Sequence, residues 1–533
     1  AVAALGVYYY VTIPAINIHS SGTWGAIFLV IGILMLFSLV KHFKGNVEST
    51  VEGISKMQFR IKDTSLMFKI LGSVMLLLCV VYGIGYLLSS PFFNAAKYQK
   101  LLSIEERNFT DDIKEVDYQT IPLLDKDSAA ILGNRKMGSM VDMVSQFEVT
   151  SDYSQINYLG KPVRVTPLTY ASPIKWLTNQ RNGIPAYILI DMTTQDTECV
   201  KLTEGIKYSK GEYFNRNIYR HLRFKFPTYI FAEQIFFEID DEGTPYWVCP
   251  VKKFNIGLFG GQTIGRVVLC NAQTGECTDY AVEDVPTWID KVYSAELLID
   301  LYDYSGLLKH GYWNSLLGQK DCLQSTNGYN YIALDDDVWV YTGVTSVSGD
   351  QSNVGFVLMN QRTMETRYYK VEGAIEDSAM SSAEGQVQNL GYRATFPLLL
   401  NIADEPTYFM ALKDSAGLVK KYAMVNVQKY QWVAIGDTLK ECEKNYTELL
   451  NTNGIVSSMA EELKSITGQI KSISPIVLEG NTHYYICLEN SDDIFDLDMQ
   501  DKSLIQIVKY QVGDRIVFEY LNEYGINQVK SIK

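Results

Sequence analysis

Val268–Val285 reads VLCNAQTGECTDYAVEDV, and three other stretches align with it through their centres without gaps: Ile188–Ile206 (ILIDMTTQDTECVKLTEGI), Val357–Ile375 (VLMNQRTMETRYYKVEGAI) and Ala423–Leu439 (AMVNVQKYQWVAIGDTL). Each reads as a strand, a polar turn and a second strand. Asp191, Asn271, Asn360 and Asn426 share one position; Thr194, Thr274 and Thr363 follow three residues later, with Lys429 in the fourth copy. An Asx side chain at the start of a turn bonds backbone two residues on, so the position needs no ligand to explain it.

Upstream of each copy lies a strand pair meeting at a tight turn: Ile156–Pro167 around Gly160-Lys161, Ile235–Val251 around Asp240–Gly243, Tyr329–Val344 around Asp335–Asp337, and Ala394–Leu412 around Ala403–Pro406. Helical spacing of apolar residues follows or intervenes at Ser209–Phe224, Pro286–Leu308, Ser378–Leu390 and Thr438–Leu450. The expected fold class is α+β, a helix plus a small antiparallel sheet repeated over residues 93–451.

Towards the amino terminus the character changes. Residues 1–92 hold three apolar segments, at 1–16, 23–40 and 70–88, and the second and third are long enough to cross about 30 Å of hydrocarbon as helices. The first starts abruptly, which suggests that further residues precede Ala1. Between the second and third segments, residues 41–69 carry Lys41, Lys44, Lys56, Arg60, Lys62 and Lys69 against Glu48, Glu52 and Asp63. That excess marks a cytoplasmic loop and sends everything after Pro91 to the other side of the bilayer. Trp24, Tyr82 and Tyr86 fall near helix ends, where amphipathic rings favour the headgroup region.

The remaining composition is that of folded protein, with enough aromatic residues (12%) to offset ordering entropy. A net charge of −14 argues against duplex nucleic acid as a partner. Cysteine gives no complete disulfide framework: Cys79 lies in the third apolar segment and seven others are scattered. Cys270 and Cys277 bracket a turn and could bridge across a hairpin.

Searches for catalytic constellations fail. The five histidines show no zinc-helix spacing, no Gly-x-Ser-x-Gly elbow occurs, and Gly257–Gly261 (GLFGG) lacks the Lys-Ser/Thr of a phosphate loop, so it reads as a hairpin loop. Asp335, Asp336 and Asp337 could gather Ca²⁺ but lack EF-hand spacing, so a solvated turn is favoured. Arg216, Tyr219, Arg220 and Arg223 form a basic helical face beside His221, either paired with acidic surroundings or open to a partner; they are the candidate partner surface. No cofactor is expected.

The sequence Val267-Val-Leu-Cys-Asn-Ala-Gln-Thr-Gly-Glu276, preceded by a strand pair and a helix, resembles the PepSY module. The other copies depart from it, with Gln195-Asp196 or Met364 where Gly would stand. The resemblance implies a non-enzymatic extracytoplasmic module that binds or restrains partners, often peptidases. Residues 460–533 offer five strand-like runs with a short helical run, Lys502–Val508, between the third and fourth, an order that resembles an OB-fold barrel. Its presumed binding strands carry Glu489, Asp492, Asp493, Asp496 and Asp498, which disfavours nucleic acid. The expectation is a bacterial, Gram-positive envelope protein in the cell membrane, serving as a scaffold. Its expected partners are the bilayer, other membrane or envelope proteins, and a second copy of itself. The alternatives are an accessory subunit of a membrane peptidase, transporter or secretion machine and, more weakly, an envelope hydrolase.

Overall fold

Helices α1 (Val2–Thr12), α2 (Ser21–Lys41) and α3 (Leu66–Leu88) account for the apolar start of the chain. A computed structural model describes residues 2–533 apart from 42, 49–55, 62–65, 116–120, 335, 348–351, 455–463, 479–480, 492 and 524–525. Two of the helices, α2 and α3, are long and apolar enough to cross a membrane. Among the described residues the first apolar segment contributes α1, of 11 residues, a rise of roughly 16 Å. It stops because Ile13 takes a left-handed φ of 40° ahead of Pro14. Between α2 and α3, Phe43–Glu48 and Lys56–Ile61 pair as an antiparallel ladder.

The first compact unit, Ala1–Tyr446, holds the apolar helices together with the sheets. After α3 a short helix, α4 (Pro91–Gln99), leads into strand Ile104–Arg107, which joins the third sheet in parallel beside Thr366–Tyr369.

Four larger sheets follow, antiparallel apart from that one parallel strand. The first is ordered Phe147–Val149, Lys161–Tyr170, Ile184–Asp191, Thr197–Ile206, and the second Cys277–Ala281, Gly260–Asn271, Pro245–Ile256, Phe236–Ile239. The third is built on Asp337–Ser346 and Gly355–Asn360, the fourth on Glu405–Lys413 and Val419–Asn426. Strand alternation stacks them. Trp247, Cys249, Val268 and Cys270 of the second sheet pack into the core of the first, while Val248, Val267 and Leu269 face the core shared with helix Ala295–Leu307 and Val340, Val357 and Met359 of the third. A sheet buried on both faces has to be apolar at successive positions, which is why Val267–Cys270 reads as an unbroken apolar run.

Three of the four Asx residues occupy one kind of turn, and the fourth, Asn426, starts a turn one residue longer, its N–H meeting the carbonyl of Trp432. Asp191, Asn271 and Asn360 each accept the N–H groups two and three residues on through Oδ1, at 2.8–3.0 Å, and Asn426 accepts the N–H of Lys429 at 2.8 Å. The residue four on then turns left-handed, at Gln195 (φ 64°), Gly275 (75°) and Met364 (67°). Glycine is therefore preferred there, not required.

Two helices begin later than expected. Of Ser209–Phe224, only the part from Ile218 is α-helix, after a 3₁₀ turn at Phe214–Arg216. Pro286–Ser294 is irregular, and the helix begins at Ala295 because the Ser294 hydroxyl caps the N–H of Leu297. Ile289, Val292 and Tyr293 mimic helical spacing but are buried by a bent segment whose Val292 and Tyr293 N–H groups both reach the carbonyl of Gln361.

The second compact unit, Thr447–Lys533, contains a closed five-stranded barrel in the order Lys464–Leu478, Asn481–Leu488, Ile494–Asp498, Ile526–Ile532, Arg515–Glu523. Ile470, Ile486, Phe495, Leu497, Ile516 and Phe518 fill it, with Leu504 and Ile507 of the 3₁₀ helix Lys502–Lys509 closing the core.

Candidate functional site

Helix Ile218–Lys225 carries three of the four residues of the candidate partner surface, Tyr219, Arg220 and Arg223, and its 3.6-residue period sorts its side chains onto three faces. Ile218 and Leu222, four apart, are fully buried in the core of the first two sheets, with Tyr219 packed beside them. Arg220 and Arg223, three apart, face α1. His221 and Lys225, four apart, face the second Asx turn.

The arginine face is occupied. Arg220 Nε donates to the carbonyl of Tyr10 at 3.2 Å with its guanidinium 4.8 Å above the Tyr10 ring, and Arg223 Nε donates to the carbonyl of Ile13 at 2.9 Å. Arg223 also reaches the carbonyl of Tyr229. The last carbonyls of α1 lack intrahelical donors and lie at the negative end of its dipole, so two guanidinium groups complement them in both respects. The chain stays docked beyond the helix: Ile16 N–H donates to the carbonyl of Pro227 at 2.8 Å, and Asn17 Nδ2 to that of Thr228 at 2.9 Å. Arg216 turns away to the carbonyl of Gln180. The candidate partner surface Arg216, Tyr219, Arg220, Arg223 is thus mainly an intramolecular dock, which corrects the reading of a free patch.

A second contact fixes the membrane-type helices. Loop Gly257–Phe259 of the second sheet meets the end of α3: the Phe259 N–H donates to Ser89 Oγ at 3.1 Å, the Phe259 and Tyr82 rings lie 5.1 Å apart, and His19 Nδ1 lies 2.7 Å from the carbonyl oxygen of Leu258. A side chain on Gly260 would fall on the Ser89 carbonyl oxygen, so glycine at this position is a condition of the contact. Trp24 is 8% exposed and packs 5.6 Å from Tyr82, so these two rings join the seam instead of lining a headgroup belt; Tyr86 remains exposed. Beside the seam, Trp313 (62% exposed), Leu317 (79%) and Phe93 (53%) form an open apolar patch in which Phe92 lies 5.7 Å from Trp313.

On the opposite face of the basic helix, Cys270 and Cys277 are direct cross-strand partners, and one ligand atom from each lies within 4.8 Å of the others and of a His221 ring nitrogen. Both thiols are free in this structure, so the candidate bridge is not formed here. The Asn271 N–H bonds the Glu276 carbonyl, so 270/277 falls at a non-hydrogen-bonded pair, where Cα atoms are about 4.5 Å apart and disulfide geometry is accessible. The Cys270 thiol and His221 hold Cys277 well below the usual thiol range. His221 Nε2 sits 2.7 Å from the carbonyl of Gly275, which also accepts from Lys225 at 2.8 Å. Two thiols and an imidazole supply three of the four donors of a tetrahedral zinc site, or a thiol pair able to oxidise. The spacing was visible in the sequence for the cysteines; nothing local placed His221, some 50 residues away, beside them.

The aspartate cluster divides. Asp337 takes Arg362 in a two-pronged ion pair at 2.6 and 2.7 Å and Asn360 Nδ2 at 2.8 Å, and Asp336 accepts from Asn157 Nδ2 at 2.6 Å. Asp335 lies outside the described residues. Asp337 is therefore committed to its own hairpin and not available as a Ca²⁺ ligand, the carboxylate being neutralised by Arg362. No family model and no curated protein matches this sequence.

Proposed function

We propose that the chain is a membrane-anchored, non-enzymatic scaffold of a bacterial cell envelope, its sheets and barrel held outside the cytoplasm. The observation that carries this reading is the seam: α1, the end of α3 and the loop at Gly257–Phe259 fasten the anchor to the body, as a load-bearing or orienting role requires. The basic bias of residues 41–69 supports the orientation, and the open patch of Phe93, Trp313 and Leu317 beside α3 suits the bilayer interface. The repeated sheets support a PepSY-like reading, and the barrel's strand order with its intervening 3₁₀ helix supports an OB-like one. An accessory-subunit role is the second reading, favoured by α3, none of whose side chains is buried and which offers a full face to lipid or to a partner helix.

Impermeant thiol labelling of intact cells tests the orientation. Lys309→Cys, at an exposed position, should label directly, and Ser55→Cys only after permeabilisation. The reverse pattern would place the body in the cytoplasm and end the envelope reading.

A further inference from the structure

Between the first, third and fourth sheets lies a cleft of about 730 Å³. Several of its rim charges are paired, Asp125 with Lys413, Asp152 with Lys210 at 3.1 Å, Glu233 with Lys252 at 3.3 Å and Arg393 with Glu384 at 2.8 Å, and Glu296 accepts from the Tyr329 hydroxyl at 2.8 Å, while Lys126 and Asp127 are exposed to solvent. Two buried cations in its wall have neither an ionic partner nor free access to solvent. Arg164 is 5% exposed and donates only to the carbonyl of Leu124 and to Gln155 Oε1, both at 3.3 Å. Lys291 is 6% exposed, its ammonium 4.6 Å from the Tyr331 ring centre and 5.7 Å from that of Phe236. Among the described residues neither makes an ion pair or a hydrogen bond to a carboxylate.

Two acids lie behind Lys291, and both are spoken for. Glu238 accepts the backbone N–H groups of Asp290 and Lys291, each at 3.0 Å, and Asp290 accepts that of Asn157 at 2.6 Å. Burial pushes both carboxyls upward, towards their neutral forms, and the neighbouring Glu238 raises Asp290 further. Burial and the neighbouring Arg164 in turn push Lys291 down, to about 8, so at neutral pH it is still mostly charged. Unpaired buried cations cost several kcal/mol each, and the wall of an open cleft is where a ligand can supply the missing charge.

We propose that this cleft binds an oxyanion, the carboxylate or phosphate group of a small ligand, between the Arg164 guanidinium and the Lys291 ammonium, with the ligand's apolar part against Tyr331 and Phe396. Arg164 has three of its five N–H donors unused and suits a planar or tetrahedral anion; Lys291 adds a point charge. Helix Ala295–Leu307 contributes its N-terminus, since Ser294, Ala295 and Glu296 line the same cleft. The inference does not depend on which side of a membrane the body occupies.

The test uses the full chain in detergent, titrated at constant ionic strength with inorganic phosphate and, separately, with citrate, and followed calorimetrically. Saturable binding of phosphate alone points to a phosphate ester, of citrate alone to a carboxylate ligand, and of either one supports the site. Lys291→Met should weaken binding at least about tenfold and Lys291→Arg by much less, the fold-change expected for losing one charge-assisted contact. On the unaltered protein, the anion that binds should also slow acylation of Lys291 by an amine-reactive ester while exposed Lys309 reacts unchanged. No saturable binding, or binding that neither depends on residue 291 nor protects it, would overturn the proposal.

Discussion

Glu238 shows how a single side chain sets a property of the whole fold. It is fully buried and pushed up to about 7, chiefly by desolvation against the opposing pull of two backbone N–H groups and Lys291. Its folded value exceeds its unfolded one, so between the two the native state binds more protons than the unfolded state. Stability from this group is complete below about pH 4.5 and is lost as the pH rises through about 7, a change of about 3 kcal/mol. Denaturant midpoints between pH 5 and 7.5 should therefore fall with pH, and Glu238→Gln should flatten that slope. The variant should be less stable overall, because its amide would bring an NH₂ group to a backbone N–H. A slope unchanged by the substitution would assign the pH dependence to other groups. At this scale the sequence was legible where bonding is local. The Asx position was readable because Asp191, Asn271 and Asn360 bond backbone two and three residues away. What lay beyond it was the partner across the hairpin: Asn360 and Asn426 donate to Asp337 and Glu405, each the first residue after the upstream turn, and the first copy has Lys161 in that place and an acid, Asp191, opposite. The two positions exchange charge between copies, a long-range pairing that no local pattern announces.

Among the elements, the apolar helices and the strands could be read from hydropathy and alternation, and the contacts between them could not. The arginine face of helix Ile218–Lys225 read as pairing with acidic surroundings or open to a partner, because local charge is all that the sequence offers there; its partners, Tyr10 and Ile13, stand 210 residues earlier. A signal was available in principle, since an apolar helix that ends in open carbonyls calls for donors. Helix Pro286–Leu308 was drawn too long because burial of a bent segment and burial of a helix face leave the same apolar spacing, and only the Ser294 cap separates them. The loop Gly257–Gly261 was recognised as a hairpin, but its glycines are explained by a neighbour: Gly260 leaves room for the Ser89 carbonyl. Gly260→Ala should displace that contact and lower the thermal midpoint in detergent, at a cost on the order of 1–3 kcal/mol typical of overpacking. Gly385→Ala, in a helix where the added methyl meets nothing within 4 Å, should leave stability unchanged or raise it by about 0.5–1 kcal/mol. Equal effects of the two substitutions would mean that Gly260 is not held for packing.

For the molecule as a whole, the account rests on the anchor and the four-sheet body being one unit. Hydropathy made the apolar helices visible and periodicity made the sheets visible, and the chain read as three regions, 1–92, 93–451 and 460–533; neither signal showed that the first compact unit, Ala1–Tyr446, holds the apolar helices together with the sheets. What joins them is a set of bonds of long sequence separation that attach Tyr10, His19 and Ser89 to Asn215, Leu258 and Phe259. Ile16 and Thr228 are both exposed, and the Ile16 N–H meets the carbonyl of the residue preceding Thr228. Cysteines introduced together at these two positions in the full chain, treated in native membranes with a short bis-maleimide and mapped by mass spectrometry, report on the seam directly. The account predicts an intramolecular crosslink joining residues 16 and 228 that is lost when Arg220 and Arg223 are both changed to Glu. Two cysteines that each react with a mono-maleimide yet never crosslink would show the body detached from its anchor and contradict the account.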